Sequence, residues 1–179
     1  MRTRGVLCAV AAMAALGAPA IAGAEPPPPP PPPPAPDIGG YAFVKPSEYA
    51  VNDGSMYAFT AGAGITCVMS RANGSYGCSG PPFPGAPGGA NVVTGAQIGA
   101  PGFAVAANPV YVGDKPALPL PANSRISFQH VTCGTDGAMV TCQNSFDQSG
   151  FVISPGGSWI VNPTNPLLDR PEGRNPYFN

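Results

Sequence analysis

Few residues in this 179-residue chain could carry chemistry: five cysteines, one histidine and nine acids. Cys67 and Cys78 bracket the polar stretch "VMSRANGSYG", and Cys133 and Cys142 bracket "GTDGAMVT". Cysteines so placed serve as a metal clip, a redox pair or a structural bridge. Neither pair has the Cys-x-x-Cys spacing of a redox motif or a zinc ribbon. With His130 the only histidine, zinc would need all four thiolates at once. The spacing instead suits two hairpins. A four-residue loop over 71–74 sets Ser70 opposite Ser75 and Cys67 opposite Cys78. A four-residue loop over 136–139 sets Thr135 opposite Val140 and Cys133 opposite Cys142. Directly opposed Cβ atoms lie within about 5.5 Å, which a disulfide can span. Four cysteines allow three connectivities. The loop argument favours 67–78 with 133–142, and cross-hairpin pairing stays open. If Asp136-Gly137 closes a two-residue loop instead, Cys133 faces Val140 and the second bridge needs a bulge.

The remaining candidates are sparse. A Ser/His/Asp triad would have to use His130, which falls in an expected strand, and "NGSYG" and "GGSWI" both lack the glycine spacing of a nucleophile elbow. Asp53, Asp114, Asp136, Asp147 and Asp169 sit in turn-like contexts without a local cluster, so a hydrolase would need acids brought together from distant segments. "GAGITC" lacks the Lys-Ser/Thr of a phosphate loop. Asn73-Gly74-Ser75 matches a glycosylation sequon but reads as a polar turn. Trp159 reads as core beside a strand, with ligand stacking the alternative. No catalytic, cofactor-binding or metal-ligating residue is assigned; Cys67, Cys78, Cys133 and Cys142 are assigned to disulfides.

The elements that must position these residues follow from composition. Charged residues make up 9 % of the chain, while glycine and proline number 24 and 26. That disfavours long helices and favours short strands joined by turns. Residues 1–24 read as a secretory signal peptide: Arg2 and Arg4, an apolar run to about Ile21, then Ala22-Gly23-Ala24. Cleavage there leaves six basic residues against nine acidic ones, a net charge of −3, which argues against nucleic acid as a partner. No second apolar run reaches membrane-spanning length, so no transmembrane segment is expected in the mature chain. Residues 25–52 read as a proline-rich spacer and linker, opening with a disordered polyproline II tract, with 37–52 either linker or packed-down arm. Residues 53–161 read as an all-β domain, a small disulfide-stapled antiparallel sandwich or barrel. Within it "SRISFQHVTCGT" is the longest strand candidate, and a bulge near Gln129, or burial on both faces, would reconcile the opposite parities of Ile126 and Val131. Residues 162–179, with four prolines, read as an irregular tail.

The elements "FTAGAGITCVM", "YGCSG", "LPLPANSRISF", "VTC…VTCQN" and "GFVISPGGSWIV" resemble a group of small exported proteins of mycobacteria and related actinobacteria. The matching positions are Phe59, Gly64, Ile65, Cys67, Cys78, Leu120-Pro121, Cys133, Cys142, Asn144, Gly150, Phe151 and Ser154. The resemblance spans about residues 56–161. It implies export and two cysteine-bracketed hairpins, and brings no catalytic or binding residues or cofactor with it. Some members of the group carry a further cysteine pair in the middle, which this chain lacks. The expectation is therefore an exported, non-catalytic β-domain in the cell envelope or secreted, binding an envelope or extracellular partner. Two rivals belong to other classes. One is a secreted hydrolase with a non-local acidic site. The other is an inhibitor or host-interaction factor that binds through the Gly/Pro-rich loop from about Gly80 to Gly102.

Overall fold

A computed structural model describes residues 30–108 and 113–164. The signal-peptide reading for 1–24, the first residues of the proline tract (25–29), residues 109–112 and the tail from 165 lie outside the described residues. The chain divides into two units, 1–31 and 32–179, and every described strand belongs to the second. In chain order the strands are β1 (Ala42–Phe43), β2 (Ala50–Val51), β3 (Met56–Ala61), β4 (Ile65–Ser70), β5 (Tyr76–Ser79), β6 (Val92–Gly95) and β7 (Gly102–Ala104). Then come β8 (Leu118–Pro119), β9 (Ser124–Phe128), β10 (Val131–Thr135), β11 (Val140–Asn144), β12 (Gly150–Ser154) and β13 (Gly157–Val161). The class is all-β, as expected. The strands form two sheets rather than a closed barrel, one ordered β1-β9-β10-β11-β12-β13 and the other β2-β3-β4-β5-β6-β7 with β8 beside β3. Pairing is antiparallel except for β1 with β9 and β3 with β8.

Both cysteine-bracketed hairpins take the register that a four-residue loop dictates. Cys67 opposes Cys78 across β4–β5, Cys133 opposes Cys142 across β10–β11, and each pair is disulfide-bonded. The Ser70 N–H donates to the Ser75 carbonyl, so the ladder's alternation puts Cys67 and Cys78 at a non-hydrogen-bonded pair. The Ser145 N–H donates to the His130 carbonyl, which by the same count puts Cys133 and Cys142 at another. Opposed side chains approach most closely at such pairs, and the Cα atoms are 4.0 Å apart in both.

The inward faces of the two sheets build one core, and the bridges lie in it with no exposed surface. In the first sheet the row through the bridge runs Ile126, Cys133, Cys142, Phe151, Ile160. In the second it runs Phe59, Cys67, Cys78, Val93, Phe103. At one end of the sandwich Arg71 donates to the Gly54 carbonyl (2.6 Å) and lies 5.7 and 6.0 Å from the ring centres of Tyr57 and Phe128. Those rings meet edge to face at 5.1 Å and join β3 to β9.

The run "SRISFQHVTCGT" is two strands rather than one. Phe128 pairs with Val131 across a two-residue turn, and Gln129 takes φ 52° to make it. No bulge is needed, because the turn resets the parity and points Ile126, Val131 and Cys133 inward together. Residues 37–52 form a packed arm: Ile38, Tyr49 and Val51 are buried, and β1 pairs with the edge of β9. Across the outer face of the first sheet, Gln143 donates to the Pro36 carbonyl. Ile38 and Tyr41 fill the notch over Gly134, where an added Cβ would stand 3.1 Å from Tyr41 and 3.3 Å from both Ile38 and the Ser124 carbonyl.

Gly134→Ala is therefore expected to push the arm off the sheet, destabilising the domain by about 1–3 kcal/mol as overpacking does. Amide exchange checks it: Ala42 and Val44, whose N–H groups bond to β9 and its approach, should lose protection before the β10–β11 hairpin does.

Candidate functional site

The structure disperses the residues with chemical potential. Cys67, Cys78, Cys133 and Cys142 are closed in bridges inside the core. His130 is exposed in the β9–β10 turn, where its ring stands 5.6 Å from that of Phe146 and its carbonyl accepts the Ser145 N–H. Four acids each bond to backbone in a different turn. Asp37 accepts from Gly39, Asp114 from Asn52, Asp136 from Ala138 and Met139, and Asp147 from Gly99 and Ser149. Asp53 lies in the β2–β3 turn at φ 54°, and Asp169 falls outside the described residues. Among the described residues no three His, Cys, Asp or Glu side chains gather where they could hold a metal, and no helix is long and apolar enough to cross a membrane. Asn73 is exposed, and its Oδ1 accepts from both the N–H and the hydroxyl of Ser75, so the sequon is a self-bonded turn. Trp159 sits on the outer face of the first sheet, part-buried and outside the shared core.

The Gly/Pro-rich stretch 80–102 is largely packed. Phe83 and Ala90 are buried, and β6 runs through it. What projects is its tip, with Ile98 66 % exposed. Opposite stands the β11–β12 connection, where Phe146 is 58 % exposed. The two loops are tied at two points: Gly99 N–H to Asp147 Oδ2 (2.7 Å) and Asn144 Nδ2 to the Gln97 carbonyl (2.8 Å). Ile98 and Phe146 each adjoin a residue of the first tie, so the loops present their apolar side chains from a fixed base. Beneath them Tyr76 stacks on Phe151 at 5.8 Å. Burial, and to a smaller degree the Asp147 charge, pushes its phenol pKa above the ordinary value. The Ser149 hydroxyl lies beside both groups and is buried, yet closes a well-aligned bond with neither.

Two clefts differ in place and in chemistry. An apolar one of about 250 Å³, at the opposite end of the sandwich, is lined by Ile65, Pro81, Phe83, Ala138, Ile153 and Pro155 among others. A polar one of about 280 Å³ opens where the arm crosses the first sheet. Thr132, Gln143, Asn144, Ser145 and Gln148 line it, and Ala35 and Val161 complete it. Sequence reading missed both the exposed pair and this cleft. The available signals were Phe146 standing alone among polar residues in "QNSFDQS" and the outward parity of Thr132 and Gln143.

No family model, curated protein or solved structure matches this chain.

Two turn carboxylates, Asp136 and the loop-tying Asp147, carry a pH signature. For Asp136 the N–H groups of Met139 and Ala138 hold the carboxyl below its ordinary value of 3.8. For Asp147 burial alone would raise it. The neighbouring Ser149 hydroxyl and the N–H groups of Gly99 and Ser149 together outweigh burial, and it too lies low. A depressed carboxyl stabilises the fold above its unfolded pKa, and that contribution disappears as pH falls through the folded one. The wild-type Tm is expected to fall as pH drops below about 4. Asp136→Asn/Asp147→Asn should lower Tm at neutral pH and flatten the acid limb, as calorimetry across pH would read.

Proposed function

We propose that this chain is an exported, non-catalytic β-domain, an interaction module of the cell envelope or of the secreted medium. It meets its partner through the tethered loops that carry Ile98 and Phe146. The observation behind this reading is the contrast between exposure and anchorage. Two large apolar side chains are more than half exposed, on loops bonded to each other and rooted beside a disulfide-bridged hairpin. Apolar side chains held out on a rigid base favour binding, since little ordering entropy is lost when a partner covers them. Two disulfides, together with the absence of a membrane-crossing helix among the described residues, are compatible with an extracytoplasmic location. The signal-peptide pattern and the resemblance to exported actinobacterial proteins argue in the same direction. A net negative mature chain makes nucleic acid a poor partner.

The hydrolase reading needs two acids facing one cleft, and Asp37, Asp114, Asp136 and Asp147 are taken up by backbone N–H groups in separate turns. The inhibitor or host-factor reading takes the Gly/Pro-rich loop from about Gly80 to Gly102 as its binding element, and Ile98 projects from that loop.

Ile98→Ser/Phe146→Ser tests the proposal. Both side chains are exposed, so Tm should move by no more than a few degrees, as surface changes do. Capture of partners from a native envelope fraction should fall by about tenfold or more, the loss expected from removing one good apolar contact. Capture unchanged by the double substitution would overturn the assignment of these loops.

A further inference from the structure

The polar cleft beside the loops selects its ligand by chemistry. Its lining holds two primary amides from glutamine, an asparagine and two hydroxyl residues, and no charged side chain. A charged ligand would lose its hydration there without gaining a counter-charge. A purely apolar ligand would leave the amides and hydroxyls desolvated and unpaired. The amides are also held in place. Gln143 is fixed through Nε2 on the Pro36 carbonyl (3.2 Å) and Gln148 through Nε2 on the Ser145 carbonyl (3.0 Å), which leaves each Oε1 as an acceptor of set position. Thr132 is oriented by its hydrogen bond with Ser127, and Ser145 by its bond to the His130 carbonyl.

The same sheet face carries a further row of side chains, outside the lining of the cleft. Gln143 shares a cross-strand row with Gly150 and Val161; the next row runs Thr141, Val152, Trp159. In that row Thr141 Oγ1 and Trp159 Nε1 are buried without a hydrogen-bond partner. Phe146, between lining residues Ser145 and Gln148 in sequence, is exposed, and its ring stands 5.6 Å from that of His130.

We infer that this cleft is a binding site for a neutral, hydroxyl-rich ligand, a carbohydrate without carboxylate or sulfate groups. Gln143 and Gln148 accept from its hydroxyls. The inference deepens the interaction-module reading and rests on it, since it names the chemistry of one partner of the same end of the domain.

The test is titration of the full oxidised protein, ¹⁵N-labelled, with neutral hexose oligosaccharides and with a sulfated oligosaccharide as control. The expected result is saturable shifts of the Gln143 and Gln148 side-chain amides by neutral sugars, with Kd of about 1 mM or tighter. Gln148→Asn keeps a residue that tolerates the left-handed backbone at this position (φ 61°) while pulling the amide back by one methylene. It should weaken binding about tenfold, the loss expected from a misplaced hydrogen-bonding group. Shifts by the sulfated sugar alone, shifts away from the cleft, or none at about 10 mM would each overturn the inference. If sugars fail while Ile98→Ser/Phe146→Ser still lowers capture, only the ligand class falls; if the double substitution also leaves capture unchanged, the assignment of these loops falls with it; if the wild-type domain captures nothing, the interaction-module reading itself falls.

Discussion

Two disulfides placed at the centre of two facing rows are the constraint on which the rest of this domain depends. Each bridges neighbouring strands at a non-hydrogen-bonded pair, and each is flanked by a phenylalanine in its own row, Phe59 in one sheet and Phe151 in the other. The sulfurs are therefore core atoms, and the bridges pin register in both sheets. A one-residue slip would turn Tyr57, Phe59, Met69 and Tyr76 to solvent. Closing loops with sequence separations of 11 and 9 contributes about 3 kcal/mol each in the chain-entropy treatment. That is a large share of the stability of a small domain with few charges.

The loops inherit their rigidity from this frame. Asn144 ends the bridged strand β11, and its side chain reaches the Gln97 carbonyl. Asp147 then holds Gly99. The proposed binding surface is thus fastened, at Asn144 and Asp147, three residues or fewer from the end of a bridged strand. The arm adds a second fastening. By pairing β1 with β9 it covers one edge of the first sheet, an edge that would otherwise offer unpaired N–H and C=O groups to another chain.

Much of the frame was legible before any coordinates. Cysteine spacing around "RANG" and "DGAM" sets both registers, because loop length and strand parity leave little choice once two cysteines must face each other. The short strands at 56–61, 65–70, 140–144, 150–154 and 157–161 follow from alternation and from glycine and proline between them. The Gln129-His130 turn was hidden because glutamine at φ 52° carries none of the usual glycine or asparagine signal. The parallel pairing of Leu118–Pro119 with β3 was hidden because two residues have no period. The arm was ambiguous because Ile38 packs over Gly134, which lies far away in sequence. The candidate surfaces were the least legible: Ile98, Phe146, Gln143 and Gln148 acquire meaning through tertiary proximity, which no local pattern encodes.

The claim that the bridges organise the whole sandwich is met most directly by amide exchange on Cys133→Ala/Cys142→Ala, with the Cys67–Cys78 bridge left intact. The account predicts a loss of about 3 kcal/mol that appears in β3–β6 of the opposite sheet and in the 97–99 and 144–149 loops as well as at the altered hairpin. A loss confined to β10 and β11, with the opposite sheet and both loops still protected, would contradict it.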